Sequence, residues 1–214
     1  MTAINLAVAD DRVLIVCDEA VSVGAADSGE VTTKALALPA LRCVIAVAGH
    51  IDALGALAGA LLGGMPAGTT VADLVAELPA LLRRMRDARG WTAPTSVFLA
   101  GVSGDGVEVY ELEWPTFDPL RMPAGGVYMK PPLRADTAAA KSTGEARQRG
   151  EPFEPSAAKL PAVPWSARAS FATAIMLEQH REQVAVIGGR RQMTLLTPDT
   201  VTQTWLDPLP AIEA

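Results

Sequence analysis

Three residues in this chain have types and spacings that suit covalent catalysis. Thr2 offers a hydroxyl, Asp18 follows it by 16 residues and Lys34 follows it by 32. Removal of Met1 would make Thr2 the chain terminus, so that one residue carries both a nucleophilic hydroxyl and a free α-amine. A hydroxyl is a weak nucleophile until a base takes its proton. An α-amine titrates near neutrality, at about 8 in model compounds, and suits that task. Lys34 would supply a fixed positive charge beside the threonine oxygen, and Asp18 would hold that lysine charged and oriented. Taken singly, Asp18 reads as a strand-end residue and Lys34 as an edge-strand charge.

The elements around them must place the three side chains together. Residues 3–9 (AINLAVA) and 12–18 (RVLIVCD) read as two strands joined tightly at Asp10-Asp11. The small, polar stretch VSVGAADSGE reads as a loop punctuated by Gly24 and Gly29. Residues 31–38 (VTTKALAL) read as a third strand with Lys34 inside it, and 42–48 (RCVIAVA) as a fourth, buried one. Leucines at 54, 57, 61 and 62 then recur at helical spacing up to Gly63-Gly64. A second helix is predicted over about 69–89, capped by Thr69 or Thr70, kinked at Pro79, and closed by arginines that complement its C-terminal dipole. Strands return at 95–103 and 106–114 around an Asp105-Gly106 turn.

From 115 to 164 the character loosens, with nine of the chain's 16 prolines and one short polar helix candidate, RADTAAAKSTGEARQRG. A helix is predicted over 165–182, then strands at VAVIGG, RQMTLLTP and TVTQTWLD. This order describes one α+β domain over 1–214 with a Pro-rich excursion at about 115–164. Two antiparallel sheets packed face to face, with helices outside, would bury it.

The spacing and the surrounding segments together resemble the proteasome β-subunit family and its bacterial ring-peptidase relatives. VLIVCDEAVSVG is similar to that family's apolar strand, acid, small hydroxyl residue and glycine; CVIAVAGHIDAL is similar to its strand-turn-helix segment. The late helix FATAIMLEQHRE, followed by Gly188-Gly189 and two strands, resembles its closing section. The resemblance covers roughly 1–60, more loosely 95–114 and 165–206, and does not extend over 115–164. It implies a four-layer αββα sandwich, an N-terminal-nucleophile hydrolase. It also implies catalytic roles for Thr2, Asp18 and Lys34, an oxyanion-holding backbone N–H at Ala46, and substrate-binding positions at Ser22 and Gly49. It further implies peptide or protein substrates and a homo-oligomeric ring that needs neither cofactor nor metal; it does not identify an ATPase or other regulator. The family's serine in a Ser-Gly motif is missing from MPAGGVYMKPP, and its Asp and Ser are missing before Gly188-Gly189. These departures point to the alternative, a catalytically silent protein that serves as an assembly or binding module. A third reading is an amidase acting on a small amide.

Composition narrows the field. The balance of 18 Lys+Arg against 24 Asp+Glu, net −6, argues against a nucleic-acid surface. The longest apolar stretch, 35–64, is interrupted by Arg42, His50 and Asp52, so no membrane span is expected. No secretory leader pattern opens the chain, and a cytoplasmic location is expected. Cys17 and Cys43 sit in apolar runs and read as small buried hydrophobes. Two histidines leave little room for His-based triads or multi-His metal sites; His50 beside Asp52 reads as a helix N-terminal feature. Gly101, Gly104 and Gly106 read as parts of a hairpin rather than a phosphate loop. Gly55 and Gly59, four apart, read as a mark of close helix packing.

Overall fold

A computed structural model describes residues 3–23, 26–50, 52–66, 68–130, 164–182 and 187–209. Its first sheet has five antiparallel strands in the order β10-β1-β2-β11-β12: β1 is Ile4–Val8, β2 Val13–Asp18, β10 Val127–Lys130, β11 Arg191–Leu196 and β12 Val201–Leu206. The second sheet, also of five antiparallel strands, runs β5-β6-β7-β8-β9: β5 is Ala35–Leu38, β6 Cys43–Ala48, β7 Ser96–Ser103, β8 Gly106–Glu113 and β9 Pro119–Met122. A two-stranded ribbon of β3 (Ala20–Val23) and β4 (Ala26–Val31) stands apart. The helices are α1 (Ala53–Gly64), α2 (Val71–Arg89) and α3 (Trp165–Glu182).

The inner faces of the two sheets meet. Ile4, Leu6, Ile15 and Cys17 from the first sheet pack with Val44, Ala46, Phe98 and Val109 from the second. The strands β1, β2 and β6 are also covered outside, so every residue in each of them is buried. This double cover is why they read as unbroken apolar runs rather than alternating ones. Outside the second sheet, Ile45, Val47, Val97 and Leu99 pack against leucines of α1 and α2. Outside the first, Leu14, Val16 and Val127 pack against Ala172, Ile175 and Met176 of α3.

The expected four-layer αββα sandwich is overturned. The described chain is mostly β, two five-stranded sheets with three helices among the described residues. One helix does not make a layer over five strands: α3 packs on β1, β2 and β10, while β12 leaves Thr202, Gln203, Thr204 and Trp205 exposed.

Local chemistry accounts for most boundaries. Thr70 caps α2 reciprocally with Asp73: the Asp73 N–H donates to the Thr70 hydroxyl at 3.2 Å, and the Thr70 N–H donates to the Asp73 carboxylate at 2.8 Å. Gly90, at φ 62°, ends the helix in the left-handed conformation. Pro79 is buried within α2, which continues through it as one element. Three sequence expectations change. The stretch 21–30, read as a loop, instead contributes to β3 (Ala20–Val23) and β4 (Ala26–Val31). The predicted strand over 31–38 is divided, and Lys34 precedes β5 instead of lying inside it. The region after 115 begins with two strands, β9 and β10, that its prolines hid. The candidate helix at 134–150 and the first half of the VAVIGG segment, 184–186, lie outside the described residues; its second half, 187–189, is not a strand.

Candidate active site

Asp18 ends β2 at the point where the first sheet meets the β3 ribbon. β1 pairs with β2 so that Ile4 opposes Cys17, which sets Ala3 against Asp18. The Ala3 N–H donates to Asp18 Oδ1 at 2.8 Å, and the Asp18 N–H returns a bond to the Ala3 carbonyl at 3.2 Å. Lys34 Nζ donates to the same Oδ1 at 2.8 Å and also to the Ala20 carbonyl. The Gly188 N–H donates to Asp18 Oδ2 at 3.2 Å. Both ions are withdrawn from water, Asp18 at 1% and Lys34 at 4% exposure. Burial pushes the Asp18 carboxyl up from its ordinary value, against the pull of the Lys34 ammonium and of the Ala3 and Gly188 N–H groups.

Two of the three residues singled out by spacing are therefore in contact. Thr2 lies outside the described residues, but it is bonded through its carbonyl to the Ala3 nitrogen that Asp18 fixes. Lys34 is held from its main chain as well: its carbonyl accepts from the Val47 N–H at 2.9 Å, which ties the segment before β5 to β6.

Ala46, expected to offer a backbone N–H to an oxyanion, lies inside the second sheet. It sits in β6 between Ala35 of β5 and Phe98 of β7, fully buried. Amides alternate sides along an antiparallel strand. Because Val47 faces Lys34, Ala46 turns its N–H toward β7, into the ladder. Gly49 does occupy a position that demands glycine. Its φ is 126°, and an added Cβ would lie 2.5 Å from the Pro94 carbonyl oxygen and 2.7 Å from Thr95 Cα. It makes the close turn that leads β6 into α1. Ser22 lies in β3 opposite Asp27, next to a register shift. His50 stacks on Trp91 at 5.8 Å and its Nδ1 accepts from the Asp52 N–H at 3.4 Å, as a helix-entry residue does.

Two further groups were not foreseen from sequence. Glu19, beside Asp18, accepts from the Arg190 N–H at 3.0 Å and from Arg190 Nε at 3.2 Å. Burial opposes ionisation of this carboxyl, but the hydrogen bonds and charge of Arg190 prevail and hold it below its usual range. Lys130 ends β10 opposite Ile4 and reaches across to the second sheet, where Nζ meets Ser96 Oγ, Glu113 Oε1 at 2.6 Å and Glu111 Oε1 at 3.2 Å. This half-buried cluster faces the same end of the sheets as Ala3. The short run VYMK after Gly125-Gly126 is the one trace of it in the sequence.

Among the described residues no group of three or more His, Cys, Asp or Glu side chains is disposed to hold a metal ion. No helix among them is long and apolar enough to cross a membrane. No protein-family model matches the chain, and no curated protein is significantly similar to it.

Proposed function

We propose that this chain is a threonine-type N-terminal-nucleophile hydrolase that cleaves peptide bonds once Met1 is removed. The observation that carries the reading is the buried Asp18–Lys34 pair, whose shared oxygen also holds the amide nitrogen following Thr2. A buried ion pair is costly to assemble, and the bond from the Ala3 N–H to Asp18 ties this one to the residue that follows Thr2, which supports the reading. In the reaction the Thr2 hydroxyl attacks the carbonyl carbon and its own α-amine accepts the proton. Lys34 lowers the energy of the oxygen as it loses that proton, and Asp18 keeps Lys34 in place. The amine leaving group takes up a proton as the C–N bond breaks. Water then hydrolyses the acyl ester and returns the free hydroxyl. Assembly into a homo-oligomeric ring belongs to this reading through the family resemblance.

A second reading, a silent protein used for assembly or binding, draws on the Ala46 amide being spent in the β6–β7 ladder. One experiment separates the two. Intact mass should show loss of Met1, and a threonine-directed epoxyketone or β-lactone should add once, at Thr2. Lys34→Ala should abolish the adduct. Retention of Met1 in active preparations sinks the Thr2 mechanism; processed protein that resists both reagents supports the silent reading.

A further inference from the structure

Helix α1 has the sequence ALGALAGALLGG, without one polar side chain. A helix that is apolar all round is normally buried all round. This one is not: Leu54, Leu57, Ala58 and Leu61 face the second sheet, while Gly55, Gly59, Gly63 and Leu62 face outward, Leu62 at 59% exposure. At twelve residues it is too short to span a bilayer, which takes about 20. The outward glycines are also unexplained within the chain, because a Cβ added at Gly55, Gly59 or Gly63 meets nothing within 4 Å. Glycine weakens a helix relative to alanine, so a row of three on an open face answers a requirement outside the monomer. Small residues four apart let another backbone approach closely.

The neighbouring helix says what approaches. Between α1 and α2 runs an open groove of about 610 Å³, with Ala60 on one wall and Glu77, Leu81 and Arg84 on the other. Glu77 and Arg84 are exposed, opposite in charge and seven residues apart, and therefore two turns apart on one side of α2. Such a row is complementary to itself when reversed. We propose that the α1/α2 face docks a second copy of this chain about a two-fold axis. Each α2 runs antiparallel to its counterpart, and Glu77 of either copy faces Arg84 of the other. The same axis sets the glycine row of α1 against its own reversed image, with Gly55 over Gly59. A two-fold contact uses one patch twice, which this charge row and this glycine row both allow. The inference does not depend on whether Thr2 is a nucleophile.

Sedimentation velocity on the full-length protein tests it. The wild type should self-associate through a saturable pairing step, of single chains into dimers or of rings into double rings. Gly59→Gln should keep or raise the thermal midpoint, since the new side chain meets open space, yet weaken association at least about tenfold. Glu77→Arg and Arg84→Glu should each weaken it at least about tenfold by setting like charges together. The double variant Glu77→Arg/Arg84→Glu should restore association to within about threefold of wild type, the behaviour of a directly coupled pair. A wild type that stays monomeric at about 100 μM, far above the micromolar range of a modest interface, overturns the proposal. So does association that is indifferent to the single variants, or a double variant no better than the singles.

Discussion

Replacing Lys34 with methionine isolates the central electrostatic argument. The pair sits at 2.8 Å with both side chains almost fully buried. At an effective dielectric constant near 20, that separation corresponds to an attraction of about 6 kcal/mol. Desolvation of the two ions offsets much of this in the wild type. Lys34→Met removes the attraction but leaves the Asp18 carboxylate buried with only the Ala3 and Gly188 N–H groups as donors. Stranding one partner of a buried pair costs about 3–5 kcal/mol, and urea unfolding monitored by tryptophan fluorescence should show a loss of that size at pH 8. Without the cation, burial raises the Asp18 carboxyl further above its unfolded value of about 3.9. The folded variant then keeps a proton that the unfolded chain releases, so its stability falls as pH rises above about 4. The penalty should therefore be smaller at pH 4.5 than at pH 8. Adding Asp18→Asn removes the stranded charge and should recover part of the loss. A loss below about 1 kcal/mol that is equal at both pH values would refute the picture of a buried, charged pair, and with it the electrostatic role assigned to Lys34.

Two other outcomes follow from the same structure. Gly49→Ala forces a side chain onto φ 126° and into the Pro94 carbonyl, and should cost roughly 2–4 kcal/mol in denaturant midpoint analysis; a cost under about 0.5 kcal/mol contradicts the described turn. Cys17 and Cys43 are both buried, and burial raises both thiols, Cys43 to about 12, so iodoacetamide at pH 8 should label neither in the folded protein and both in urea. Because their folded values exceed the unfolded one of about 8.5, their contribution to stability is intact below that pH and is lost as the pH rises toward about 12; a native-state stability unchanged between pH 8 and pH 11 would contradict this.

The strands that were legible in the sequence are those whose neighbours cover both faces. RVLIVCD and RCVIAVA announce themselves because β2 as far as Cys17, and all of β6, carry only apolar side chains between two covered faces. The β3–β4 ribbon was not legible, because GAADSGE has the composition of a loop and its pairing lies outside both five-stranded sheets. β9 and β10 were masked by prolines that sit at a strand start and in turns. The helices were found close to their observed ends, yet their arrangement was not, since periodicity reports which face is apolar and not how many helices share a sheet. In the site, Asp18 and Lys34 were recognised by spacing and do meet. Gly188 and Lys130 were not, because Gly188 meets Asp18 across 170 residues and Lys130 is placed by pairing with distant Ile4, separations no local pattern records.

That separation bears on when the site comes into being. Asp18 takes its donors from Ala3, Lys34 and Gly188, and β2 lies between β1 and β11. A ribosome that has made the first fifty residues has produced two of the donors but not the third, nor the strand that flanks β2 on its far side. The carboxylate is completed only after Gly188 and β11 have been synthesised, and closing so long a loop is slow relative to local folding. The threonine reading thereby acquires a timer: a nascent or truncated chain carries every residue of the triple and still lacks the finished site.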